Sequence, residues 1–127
     1  MNNINKDIVA SYLTSHYNEI NDELQDLSSH QNFVGMFQAI INHINVLLTS
    51  GQIQKIGTKI KLIGWLYKRG NEYMKYIIEN LFVQSFVGMK RRCNSQQWTD
   101  LYNTIPANLK QVYLLQNKNY SIQKSIS

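Results

Sequence analysis

Residues 71–92, NEYMKYIIENLFVQSFVGMKRR, decide the fold. On a helical wheel Met74, Ile77, Ile78, Leu81, Phe82 and Met89 share one broad face. Tyr76, Val83, Phe86 and Val87 cover most of the other. A helix apolar nearly all round is covered by neighbours on several sides, so this stretch reads as the centre of an all-α domain. Lys75, Glu79, Asn80 and Gln84 interrupt it, and no apolar run approaches the roughly 20 residues a bilayer requires, so it is not a membrane span. Gly70 ends the preceding helix, Asn71 caps this one with Glu72 in its first turn, and Lys90, Arg91 and Arg92 meet the negative end of its dipole. Glu79 and Asn80 are polar intruders. If enclosed, they need hydrogen bonds across to a neighbouring helix, or to Lys75 one turn back; a ligand pocket is the lesser reading.

Moving outward, residues 52–69 form a helix with Ile53, Ile56, Ile60, Ile63 and Tyr67 on one face and Leu62, Trp65 and Leu66 off it, which implies two packing partners. Gly57 and Gly64 lie on one side, where another helix can approach closely. Residues 32–50 form a helix with a wide face of Phe33, Val34, Met36, Phe37, Ile40, Ile41, Ile44, Leu47 and Leu48, stopped by Gly51. Residues 7–27 read as one long first helix capped by Asn5, with Ile8, Val9, Leu13, Ile20, Leu24 and Leu27 inward. Beyond the central helix, Asn94 and Ser95 open a short helix carrying Trp98, Leu101 and Tyr102. Pro106 suits the first turn of a last helix with Leu109, Val112, Tyr113 and Leu115 inward. The expectation is one domain over residues 1–127, a bundle or short α-solenoid of five to six helices, with a frayed tail over 117–127.

The composition bounds the function. Cys93 is the only cysteine, which excludes an intrachain disulfide and a CxxC motif and fits a reducing, cytoplasmic setting; the N-terminus has no signal-peptide pattern. Asn and Ile are frequent, the bias of AT-rich codons, which suggests a bacterial source. The formal charge is +5, with one lysine against five carboxylates over residues 1–30 and twelve cations against three carboxylates thereafter. Glu19, Asp22, Glu23 and Asp26 follow i, i+3, i+4, i+7 spacing, an acidic stripe beside the apolar face of the first helix. It is the candidate partner-binding surface.

Chemistry finds less footing. His16 and Glu19 are three apart, and His43 and Glu79 lie on helices that can be neighbours, but a bundle-type metal site needs paired Glu-x-x-His motifs. Lys90, Arg91 and Arg92 before Cys93 would lower a thiol pKa, yet no histidine motif accompanies the cysteine. There is no phosphate-binding glycine loop. Lys55, Lys59, Lys61, Lys68, Arg69, Lys75 and the 90–92 cations could form a positive surface with Trp65, Tyr67, Tyr73 and Tyr76, but no helix shows the exposed basic and amide cluster of a recognition helix.

Taken together, IGWLYKRGNEYMKYIIENLFVQSF, the Trp-bearing short helix and LYNTIPANLKQVY resemble a family of small helical bacterial proteins, a domain of unknown function. The matching residues are Leu66, Tyr67, Gly70, Asn71, Ile78, Glu79, Asn80, Phe82 and Ser85, and the resemblance covers about residues 7–116. It implies no established activity and carries over no functional residue; some resembling proteins are regarded as immunity proteins of bacterial toxin systems. The reading is a non-enzymatic protein-binding module with a partner such as a toxin, no cofactor and no membrane, nucleic acid being disfavoured. The alternative is a metal- or cysteine-dependent hydrolase, or a weak nucleic-acid binder.

Overall fold

Each helix boundary has a local cause. The computed structural model describes the backbone of residues 6–126 and the side chains of 6–118. Helices α1 (Lys6–His16) and α2 (Asn21–Ser29) are separated by a 3₁₀ turn, Asn18–Ile20. Asn32 caps α3 (Phe33–Thr49) by accepting from the Gly35 amide at 2.8 Å. After α3, Gly51 takes φ 72°, while its amide and that of Gln52 donate to the carbonyls of Leu48 and Leu47, a Schellman stop. The same motif ends α2 with Gln31 in the left-handed position, φ 54°, where a side chain is disfavoured. The expected cap Asn5 lies outside the described residues, as do Ser127 and the side chains over most of the expected tail.

Helix α4 (Ile53–Arg69) gives way to α5 (Glu72–Ile77) at Gly70 and Asn71, whose side chain accepts from the Met74 amide at 2.9 Å. Gly70 is not left-handed, with φ −73°; it is needed for space, since a Cβ there would lie 2.9 Å from both the Leu66 carbonyl oxygen and the Met74 Cβ. The chain runs on through a π turn (Ile78–Phe82) and a 3₁₀ turn (Val83–Ser85) into α6 (Phe86–Arg91). The polar pair Glu79–Asn80 sits in the widened turn, whose Glu79 carbonyl takes a donor from outside the helix, Gln116 Nε2 at 2.8 Å. A reciprocal cap between Asn94 and Gln97 starts α7 (Ser95–Thr104), and α8 (Ala107–Ile126) follows Pro106.

The helices pack as a bundle around one core. Helix α4 touches α1, α3, α5, α7 and α8, contacts between elements far apart in sequence that a solenoid, which touches only neighbours, does not make. Gly57 and Gly64 are where this happens: a Cβ would meet the Thr104 side chain at 2.9 Å and the Pro106 ring at 2.6 Å. The central stretch is covered by α3 on one side and by α8 on another, with Ile78, Phe82, Val83, Phe86 and Met89 buried. Among the described residues no helix is long and apolar enough to cross a membrane.

Several expectations of the wheel are corrected. The first helix is not continuous, because Tyr17 at φ −124° turns the chain and buries its ring. Ile8, Val34 and Leu115, placed inward by spacing, are exposed, and so are Tyr76 and Val87 on the reverse face of the central helix. Leu81 is only half-buried. A wheel assumes a regular helix and ranks angles without knowing which sides neighbours cover: Ile8, Val34, Tyr76 and Leu115 lie on sides that neighbours leave partly open, and Val87 lies beyond the irregular turns at 78–85, which shift its angle.

Candidate protein-binding surface

The turn between α1 and α2 is built from buried polar groups. Tyr17 Oη donates to the Lys59 carbonyl at 2.6 Å, and Asn21 Nδ2 donates to the Thr14 carbonyl at the end of α1 at 2.6 Å. Glu19 therefore leaves the stripe and reaches inward. Lys59 Nζ, on a residue 7 % exposed, donates to Glu19 Oε1 at 3.1 Å and Oε2 at 2.9 Å, and lies 4.8 Å from the centre of the Tyr17 ring. His43 Nε2 stands 3.6 Å from Glu19 Oε2. The Lys59 hydrogen bond holds the Glu19 carboxyl below the usual carboxylate range. Burial lowers the His43 pKa and nearby Lys59 adds to that, against the opposing pull of Glu19. Burial also pushes the Tyr17 hydroxyl well above its ordinary value.

The rest of the acidic surface survives. Asp22, Glu23 and Asp26 on α2 are exposed and make no ion pair among the described residues, whose ion pairs are those of Glu19 with Lys59 and His43. Glu19 is exposed like the other three but also braces the fold through Lys59. Lys59 itself carried the missed signal: it falls on the apolar face with Ile56, Ile60 and Ile63, and a lysine there needs a carboxylate.

A second surface flanks α1. Tyr12 stacks on Trp65 of α4 with ring centres 4.7 Å apart, and His16 stacks on Tyr12 at 4.4 Å. Arg69 lies over the Trp65 ring at 5.0 Å. Trp65 is 38 % exposed, so it belongs to a surface and not to the core. Spacing placed Trp65 off the main face of its helix but gave no hint of the stack.

The catalytic candidates fall apart. His16 is engaged with the Tyr12 carbonyl at 3.1 Å, and its expected neighbour Glu19 points to Lys59 and His43. Glu79 does not meet His43; Tyr67 Oη of α4 donates to Glu79 Oε2 in the π turn, which gives Glu79 a partner on another helix and not Lys75. That partnership, after burial, raises Tyr67 to about 12. Asn80 is exposed and bonds the Tyr76 carbonyl of its own helix. A groove of about 270 Å³ on this helix is lined by Gln84, Val87, Gln116 and Asn117, without Glu79. Burial raises the Cys93 pKa, so the preceding cations do not activate it. No group of three or more His, Cys, Asp and Glu side chains among the described residues could hold a metal.

The fold and its surfaces define a single all-helical domain held by one core, with the carboxylates of α2 and the Trp65 side of α4 displayed outside it. Residues 10–120 match the model of a domain of unknown function (DUF7674), and the chain belongs to that family. No curated protein and no solved structure matches it.

Proposed function

We propose that this chain is a non-enzymatic module that binds another protein through α2. The supporting observation is that Asp22, Glu23 and Asp26 stand exposed on one short helix without ionic partners in the described chain. Exposed carboxylates add little to folding, but they speed encounter with a cationic protein and set its register. An immunity protein that neutralises a toxin is the form of this function implied by the resemblance, and a reducing bacterial cytoplasm, where the lone Cys93 would stay a free thiol, is its setting.

The test is capture from the source cell, with the tagged chain beside a variant carrying Asp22→Lys, Glu23→Lys and Asp26→Lys. A basic protein retained by the parent and lost by the variant is the expected result. Equal capture by both removes α2 from the interface. Stoichiometric iron, zinc or manganese in the purified protein would instead favour a hydrolase.

A further inference from the structure

Helix α4 carries Lys55, Lys59, Lys61, Lys68 and Arg69 and no carboxylate. With Lys59 buried against Glu19, its solvent side sets Lys61, Lys68 and Arg69 around Trp65, all exposed and none ion-paired in the described chain. Helix α1 lies along this side. Tyr12 meets Trp65 and, at the other end, Lys6 Nζ lies 5.8 Å from the centre of the Tyr73 ring. These two contacts run α1 antiparallel to α4 and α5 and bring Ile8, 47 % exposed and one turn from Tyr12, between them. Aromatic and aliphatic groups are thus exposed along this side, with cations at the Trp65 end and both Asp7 and Glu72 near the Lys6 end.

Such a strip has the residue types that dominate protein interfaces, Trp, Tyr and Arg. Its rings are unsuited to nucleobases. Tyr12 stacks with both His16 and Trp65, and Trp65 carries both Tyr12 and Arg69, so the rings at the cationic end already have the partners that bases would replace. The exposed edge of Trp65 remains, and it accepts aliphatic and aromatic side chains of a protein. We infer that the strip binds an acidic, amphipathic peptide segment of a partner protein, its apolar side chains on Tyr12 and Trp65 and its carboxylates toward Lys61, Lys68 and Arg69. The surface is separate from the carboxylates of α2, so either can fail without the other.

The experiment is selection from a displayed library of random peptides on the whole protein, followed by titration of the enriched peptides into a Trp98→Phe variant, in which Trp65 is the only tryptophan. Enriched sequences should combine Asp or Glu with large apolar residues, shift the Trp65 emission, and, by titration calorimetry, lose at least about tenfold in affinity with Trp65→Ala and, independently, with Arg69→Glu. Lys90→Glu on α6 should leave binding within about twofold. Circular dichroism of each variant establishes that it is folded, and Arg69→Glu, a surface change, serves if Trp65→Ala is not. Selection of basic or uncharged peptides, or binding indifferent to both strip variants, overturns the inference. So does tighter, Trp65-dependent binding of oligouridylate, which would give the strip to nucleic acid, or Trp65-dependent self-association in sedimentation, which would give it to a second copy.

Discussion

Lys59 donates to both carboxylate oxygens of Glu19, at 3.1 and 2.9 Å, across 40 residues of chain, tying the turn between α1 and α2 to the middle of α4. Because the lysine is buried and the glutamate half-exposed, the two partners are not equivalent. Removing Glu19 strands a cation in the interior, whereas removing a neighbouring surface carboxylate strands nothing.

Glu19→Ala should therefore destabilise the domain by about 2–3 kcal/mol, less than the upper range for fully buried pairs because water reaches the carboxylate. Asp26→Ala should stay within about 0.5 kcal/mol. Urea denaturation of the two variants compares them directly. Equal midpoints would mean that Lys59 finds another partner. For the same reason Glu19→Lys has no place in a charge-reversal test of α2, since it would destabilise the domain it is meant to probe.

The central helix gives a graded series. Phe82 is fully buried and in edge contact with Phe86, ring centres 5.6 Å apart, so Phe82→Ala should cost about 3–5 kcal/mol. Leu81 is only half-buried, and Leu81→Ala should cost about 1–2 kcal/mol. Val83 lies on the reverse face and is also fully buried, so Val83→Asp should leave no cooperative thermal transition near that of the parent. A Val83→Asp protein melting like the parent would contradict the coverage of this helix on both sides.

Acidification should weaken the same junction that Lys59 holds. The folded pKa of His43 lies below its ordinary value of about 6.5, so the unfolded chain takes up a proton first and stability falls as pH drops through and below that value. The groups facing His43 are Glu19, Lys59 and Lys55, and Glu19, also depressed, adds a second loss at lower pH, where its carboxyl protonates. The melting temperature should decline between about pH 7 and 5, and His43→Gln should flatten that part of the profile while leaving the steeper fall below about pH 4.5 in place. A parent profile flat from pH 7 to 5 would refute the assignment.

Close approach onto α4 is testable by adding single carbons. At Gly64 a Cβ would lie 2.6 Å from a proline ring that cannot swing aside, so Gly64→Ala should destabilise by about 1–3 kcal/mol despite its better helix propensity. At Gly51, where nothing lies within 4 Å, an alanine suffers only from the left-handed backbone, and the loss should be smaller, about 1 kcal/mol. Guanidinium unfolding of both variants orders them, and the reverse order would mean that the α7–α8 corner yields.

The amino-acid sequence by itself determined the helical class, the capping residue Asn71, the stop at Gly51, and the burial of the central helix on more than one side, because these depend on periodicity and on backbone chemistry within a few residues. It also determined that Gly57 and Gly64 face a close neighbour, since two glycines on one side of a helix have little other use. Only the tertiary structure decided that Tyr17 breaks the first helix, that Glu19 belongs to Lys59 and not to the stripe, that Glu79 meets Tyr67, and that Tyr12, His16 and Trp65 stack in one row. Those pairings join residues from 12 to 53 positions apart in sequence wherever they cross between helices, as Tyr67 to Glu79 and Tyr12 to Trp65 do. Their geometry follows from how whole helices cross and kink, which no local pattern encodes.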